Sequence, residues 1–364
     1  MHNPVIVAAK RTPIGRKDGM FRDKQAEELA SPLLAVMAKG LEKHIDEVLL
    51  GNVVGPGGNL ARLSALSAGL PQSITGMTID RQCAAGLEAI RTAALFIQAE
   101  VGECYIAGGT ESTSTSPNPG KARFSPDSLG DPEMGEAAEN VASQYGISRA
   151  EQDEWAHLSY QRSIKAYEDG LFQEEIYPID GSNTDEIFLK PRPLERLIAR
   201  AKPAFKKNGT VTAMNSCGVN DGAAAVLIMS EQKARKLGMK PVLRVVGSAV
   251  TGIDPNIPAI APVSAIHKLL THHSLSVQDI DLFEINEAFA VKIAACSKQL
   301  SIPYEKLNIH GGAIALGHPY GASGAILVTR LFHEARRSDI RYMVAAMGSG
   351  GGIGTAILFE KAAY

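Results

Sequence analysis

CAAGLEAIRTAALF (83–96) and GASGAILVTRLFHE (321–334) align without a gap at a shift of 238 residues. The same shift sets CYIAGGT (104–110) against YMVAAMG (342–348), and a shift of 235 sets IDEVLLGN (45–52) against IDLFEINE (280–287). VIVAAKRTPIG (5–15) and LRVVGSAVTGID (243–254) both read as a short strand followed by a turn. Each copy holds a small-residue turn, an apolar helix and a buried strand ending in a glycine-rich corner. Four matches in one order predict two similar α/β halves. Strands alternating with helices imply mainly parallel sheets sandwiched by helices.

Material without a counterpart separates the halves. ESTSTSPNPGKARFSPDSLGDP (111–132) is rich in Ser and Pro and reads as an irregular loop. Ser148 and Glu151 have capping-box spacing at the start of a helix through EQDEWAHLSYQRSIKAYEDG. GTVTAMNSCGVNDGAAAVLIMS (209–230) reads as strand-like. The expected division is an N-terminal half at 1–111 plus 213–235, an inserted loop region at 112–212, and a C-terminal half at 236–364.

Over 364 residues, hydrophobic side chains make up 45% and charged ones 21%, with a net charge of −2. That balance is ordinary for a globular chain and favours neither nucleic acid nor a membrane surface as partner. No apolar run reaches the roughly 18–20 residues of a membrane span. The opening MHNPVIVAAKRTPIG is broken by Lys10 and Arg11, so no signal peptide is expected. Cys83, Cys104, Cys217 and Cys296 lie far apart with no CxxC spacing, and the nine histidines form no HExxH. No metal site is expected, and a reducing cytoplasm fits.

Cys83 precedes a helix whose apolar face is Leu87, Ile90, Ala94 and Ile97. Unsatisfied N–H groups at a helix start are expected to lower a thiol pKa and favour a nucleophile; a buried small hydrophobe is the alternative. Cys104 and Cys296 read as core. His318, between glycines and before Pro319, reads either as a neutral base near the helix beginning at Tyr320–Gly321 or as a turn residue held by hydrogen bonds. The duplication places Cys83 and the His318 loop at nearly equivalent corners, facing each other. Asn286 and Glu287 end the strand LFEI, where Asn286 either fixes a ligand group or caps the next helix. The run 189–209 carries Lys190, Arg192, Arg196, Arg200, Lys202, Lys206 and Lys207 against Glu195, as a polyphosphate site or a solvated face. GSGGGIG (348–354) lacks the spacing of a dinucleotide fingerprint and reads as a strand–turn–strand corner facing the cavity between the halves.

RQCAAG, GTVTAMNSCGVNDGAAAVL, NEAF, GGAIALGHPYGASGA and GSGGGIG occur in that order. Together they resemble the thiolase family of acyl-CoA C-acyltransferases over essentially the whole chain. The resemblance implies a five-layered αβαβα fold of two duplicated halves, a loop domain that binds coenzyme A, and a homodimer or homotetramer. It implies an acetyl-CoA C-acetyltransferase or 3-ketoacyl-CoA thiolase type of enzyme in fatty-acid metabolism. Its substrate would be a coenzyme A thioester, with no permanently bound cofactor. By motif, Cys83 would carry the acyl group as a thioester. His318 would activate it and, with a water held by Asn286, form one oxyanion hole. The N–H groups of Cys83 and Gly350 would form a second. Coenzyme A contacts would fall on Met134, Lys202, Cys217, Ala288 and Phe289.

Three positions depart from the family pattern. Thiolases end their last motif as C-x-G-G-G-x-G, where the Cys is a second acid/base; that position here is Gly348. A Gly348→Cys change is therefore expected to speed carbon–carbon cleavage. Cys217 stands where many members have serine, and PEMG (132–135) lacks a histidine before Met-Gly. The loop after Gly109 is short, which favours a dimer. Acyl transfer through Cys83 is expected to survive. The alternatives are transfer to another acceptor, decarboxylative condensation, or a non-catalytic acyl-CoA-binding or partner subunit.

Overall fold

The computed structural model describes residues 3–117, 122–189 and 193–362, without the side chain of Glu195. Its strands are β1 (Pro4–Arg11), β2 (Gly15–Arg16), β3 (Glu47–Gly51), β4 (Thr75–Ile79), β5 (Cys104–Glu111), β6 (Asn220–Ser230), β7 (Leu243–Gly252), β8 (Leu282–Ile285), β9 (Tyr342–Ser349) and β10 (Ile353–Lys361). They form one sheet in the order β4-β3-β5-β6-β1-β7-β10-β9-β8, with β2 beside β6. In the N-terminal half β3-β5-β6-β1 run parallel, antiparallel, antiparallel, and in the C-terminal half β8-β9-β10-β7 repeat that pattern. The halves meet through Val5 and Ile6 on β1 against Arg244 and Leu243 on β7.

The expectation of mainly parallel sheets is corrected. Among the described residues only β3 with β4, β3 with β5, and β8 with β9 are parallel. The reason lies in how β9 is followed. The three glycines at 350–352, with φ of +78° at Gly351 and +75° at Gly352, turn the chain straight back into β10. β6 likewise returns antiparallel beside β5, after the long insertion that occupies the place of this turn.

Strand alternation builds the layers. Along β6, Ala224, Val226 and Ile228 face one cluster while Ala223, Ala225, Leu227 and Met229 face another. Along β9, Met343, Ala345 and Met347 face the first cluster and Val344 and Ala346 a third. The shared cluster encloses the helices Ala85–Gln98 and Tyr320–Arg337, packed together between the halves. Helices Ala26–Ala38 and Leu60–Ser67 cover the outer N-terminal face, and Ala261–His272 and Ala290–Leu300 the outer C-terminal face. Leu87, Ile90, Ala94 and Ile97 are all buried, as their spacing predicts. Full burial of a leucine or isoleucine contributes roughly 1.5–3 kcal/mol.

The inserted region adds helices Met134–Tyr145 and Arg149–Glu168, the latter opened by the Ser148–Glu151 capping box. Strand structure in 209–230 is confined to β6 from Asn220, and the preceding residues form a loop. Arg11 on β1 ties the insertion down: its buried guanidinium meets Glu175 at 2.7 Å and Asp185 at 2.6 Å. No described helix is long and apolar enough to cross a membrane.

Candidate active site

The central helices cross on glycine. A Cβ on Gly86 would lie 2.4 Å from the Gly321 carbonyl, and one on Gly109 would lie 1.9 Å from that same oxygen. On Gly324 it would come within 2.4 Å of the Leu87 amide. Backbones therefore touch where larger residues would hold the helices apart, and the segments entering both helices converge. One carries Cys83 and the other His318.

Cys83 is half-buried, two residues before the first helical residue Ala85. Gln82, immediately before it, has φ of +49°, an uncommon conformation for a non-glycine residue, and its amide donates to Asp80 at 2.7 Å. The Ala84 amide donates to Ser349 Oγ at 3.1 Å, tying the cysteine turn to the glycine corner. The expectation of a depressed thiol pKa is corrected. Burial dominates and pushes the thiol up to about 11, opposed by the charge of Lys292. Without a base this thiol is protonated at neutral pH.

His318 supplies the geometry of a base. Its amide donates to Asn220 Oδ1 at 3.0 Å, and Asn220 Nδ2 donates to the Gly15 carbonyl at 2.9 Å. Ser323 Oγ donates to the Pro319 carbonyl at 3.2 Å, which leaves its lone pairs for His318 Nδ1 at 2.6 Å. That assigns the proton to Nδ1 and makes Nε2 the acceptor, with Asn286 Nδ2 as its donor at 3.4 Å. Burial, helped by Lys292, lowers the imidazole pKa to about 3, so the ring is neutral.

Asn286 is no helix cap, which corrects that alternative: Phe289 precedes the first turn of Ala290–Leu300. Sequence reasoning gave Glu287 no role. It accepts from Trp155 Nε1 (3.2 Å), Ser159 Oγ (2.6 Å), Asn308 Nδ2 (2.9 Å) and the Ile314 amide (3.3 Å). It thereby locks the end of β8 to the insertion. Glu111, also missed, ends β5 and accepts from the amides of Val53, Val54 and Gly321. Burial lifts it to about 7 against those bonds. Acidic residues after strands were the available signal for both.

The predicted coenzyme A residues cluster to one side. The Cys217 amide donates to the Ala288 carbonyl at 3.0 Å, and Ser216 pairs with Phe289. Phe205 meets Phe289 edge-on with ring centroids 6.0 Å apart and fills the space beside Gly135, next to Met134. Lys202, Lys206 and Lys207 line a groove of about 420 Å³ around Phe205. Lys190 and Arg192 lie outside the described residues. Arg196 and Arg200 are exposed. Cys104 and Cys296 are core residues as expected.

At the glycine corner, a Cβ on Gly350 would overlap the Phe124 ring at 2.8 Å, so a side chain there needs Phe124 to shift. A Cβ on Gly348 would meet the Pro258 carbonyl at 2.7 Å and Pro262 Cδ at 3.0 Å. Adding a side chain at 348 therefore requires a shift at the Pro258 backbone. Among the described residues no group of three or more His, Cys, Asp or Glu is arranged to hold a metal ion.

Comparison with known proteins bears on the whole chain. Residues 4–232 match the family model "Thiolase, N-terminal domain" and residues 239–361 "Thiolase, C-terminal domain". A Bacillus subtilis protein named "Putative acetyl-CoA C-acetyltransferase YhfS" is 60% identical over 360 residues, 98% of this chain and 99% of that one. The crystal structure of the Bacillus anthracis acetyl-CoA acetyltransferase superposes with a TM-score of 0.92 at 41% identity, covering 100% of this chain and 99% of that one. Human mitochondrial 3-ketoacyl-CoA thiolase gives 0.91 at 36%, with the same coverage. Matched in both halves and from end to end, the chain belongs to the thiolase family and is an acyltransferase enzyme.

Proposed function

We propose that the protein moves acyl groups between coenzyme A thioesters through an S-acyl-Cys83 intermediate. The observation that carries this reading is the meeting of the Cys83 turn, the His318 segment and the glycine corner at one helix crossing. His318 Nε2 takes the Cys83 proton, and the thiolate attacks the thioester carbonyl. The imidazolium then gives that proton to the departing coenzyme A sulfur. The N–H groups of Cys83 and Gly350 hold the tetrahedral oxyanion, and Asn286, through a water, assists His318 at the second carbonyl. Cys217, Ala288, Met134 and Phe289, with Phe205, flank the pantetheine arm. Lys202 and its neighbouring lysines meet the phosphates at the groove mouth. The loop region 112–212 is the coenzyme A-binding unit between the halves 1–111 plus 213–235 and 236–364. We place the enzyme in the cytoplasm as a homodimer acting in fatty-acid metabolism, with Gly348 standing where the family pattern puts its second cysteine.

Acetoacetyl-CoA with free coenzyme A tests the activity. Wild type is expected to cleave it to acetyl-CoA, and Cys83→Ala is expected to lose at least about 10²-fold. Cleavage undiminished by that change rejects the mechanism. Turnover of malonyl-CoA alone would instead assign decarboxylative condensation, and coenzyme A binding without turnover would assign a binding subunit.

A further inference from the structure

Lys292 has no place in the chemistry above. It lies in the first turn of Ala290–Leu300 and is 1% exposed. Its one side-chain hydrogen bond among the described residues runs from Nζ to the Gly348 carbonyl at 3.5 Å. Gly348 adjoins Ser349, whose Oγ holds the amide beside Cys83. Among the described residues no carboxylate forms an ion pair with Nζ, and the Lys292 charge acts on Cys83, Cys217, Cys296 and His318. A buried ammonium without a carboxylate is costly, and a lysine serving packing alone is better replaced by methionine. Its position at the Gly348 backbone, amid the thiols and imidazole of the site, calls for a chemical role.

We propose that Lys292 is the second acid/base of this enzyme, acting at the acyl α-carbon where the family pattern has a cysteine at position 348. The role rests on the acyl-transfer reading above. In the condensing direction, the neutral amine takes a proton from the α-carbon of the second acyl-CoA. The C–H bond breaks, an N–H bond forms, and the electron pair moves onto the carbonyl oxygen as an enolate. The α-carbon then attacks the acyl carbonyl on Cys83, the C–S bond breaks, and the sulfur leaves as thiolate. That thiolate receives the proton held by Lys292. Cleavage runs the same steps backwards.

Two features favour the amine over the Cys217 thiol. Nζ reaches the Gly348 backbone, whereas the Cys217 segment is paired to Ala288 and Phe289. Burial also acts oppositely on the two groups. It lowers the lysine pKa, making the basic form accessible, and pushes the thiol up to about 12, away from its basic form.

The test separates the two half-reactions in wild type, Lys292→Met and Lys292→Gln. Acetylation of Cys83 by acetyl-CoA is followed by mass spectrometry. Exchange of the acetyl methyl protons with heavy water is followed by NMR, and acetoacetyl-CoA cleavage by absorbance. Both variants are expected to lose proton exchange and cleavage by roughly 10²–10⁴-fold, with acetylation falling far less. Met removes the buried amine, and Gln keeps an N–H donor that cannot take up a proton. Exchange at the wild-type rate in either variant overturns the role, and recovery in Gln alone shows a positioning residue for Gly348. A parallel loss of acetylation shows that Lys292 acts on Cys83 instead. Absence of acetyl-Cys83 in wild type overturns the acyl-transfer reading and this role with it.

Discussion

At the scale of single residues, the site depends on how its environment sets two protonation states. Burial favours the neutral Cys83 thiol and the neutral His318 ring alike, so in the proposed acetylation step the thiolate forms as the imidazole accepts its proton. His318→Ala is expected to slow acetylation of Cys83 by about 10²–10⁴-fold. The same substitution carries a stability signature. With a folded-state value of about 3 against an ordinary 6.5, the buried ring binds its proton less readily than the unfolded chain does. Its contribution is present above pH 6.5 and is lost as pH falls towards 3, by about 1.4 kcal/mol per unit. Denaturation midpoints of wild type and His318→Ala should therefore converge on acidification through that window; a constant gap would contradict the buried neutral ring. The motifs around Cys83, His318 and Asn286 are local and can be read in sequence. The raised thiol pKa cannot, since desolvation comes from side chains distant along the chain.

At the scale of elements, chemistry is positioned by two helices brought together on glycine. Gly86→Ala places a methyl group 2.4 Å from the Gly321 carbonyl, and backbone there cannot move without shifting the His318 loop. We expect a loss of roughly 1–3 kcal/mol of stability by overpacking, measured by denaturant unfolding, with slower acetylation of Cys83 in the fraction still folded. Unchanged stability and activity would show that the crossing is looser than described. The helices themselves were readable from apolar spacing, as was the Ser148 capping box. The start of Ala290–Leu300 was not: Asn286 has the composition of a cap, but the Ser216–Phe289 pairing holds Phe289 extended and delays the helix to Ala290. Lys292, within this helix, was passed over because a lysine on a helix is ordinarily solvated. Only its burial against Gly348 marks it out.

At the scale of the whole molecule, duplication was visible in sequence and reappears as one strand order used twice. Strand direction was misjudged because three glycines and a hundred-residue insertion look nothing alike, yet both return the chain antiparallel. What fastens the insertion was likewise unreadable: Arg11, Glu175 and Asp185 are distant in sequence and converge only on folding. Arg11→Met leaves buried Asp185 without its cation and Glu175 with Arg330 at 3.5 Å, and is expected to cost about 3–5 kcal/mol in chemical denaturation; a neutral effect would mean that the insertion is held elsewhere. The central claim is that this assembly makes Cys83 an acyl carrier. Incubation with acetyl-CoA followed by peptide mass spectrometry tests it most directly. One acetyl group on the Cys83 peptide of wild type, absent from Cys83→Ala, is the predicted result; no adduct on wild type, or an undiminished adduct in the variant, would contradict it.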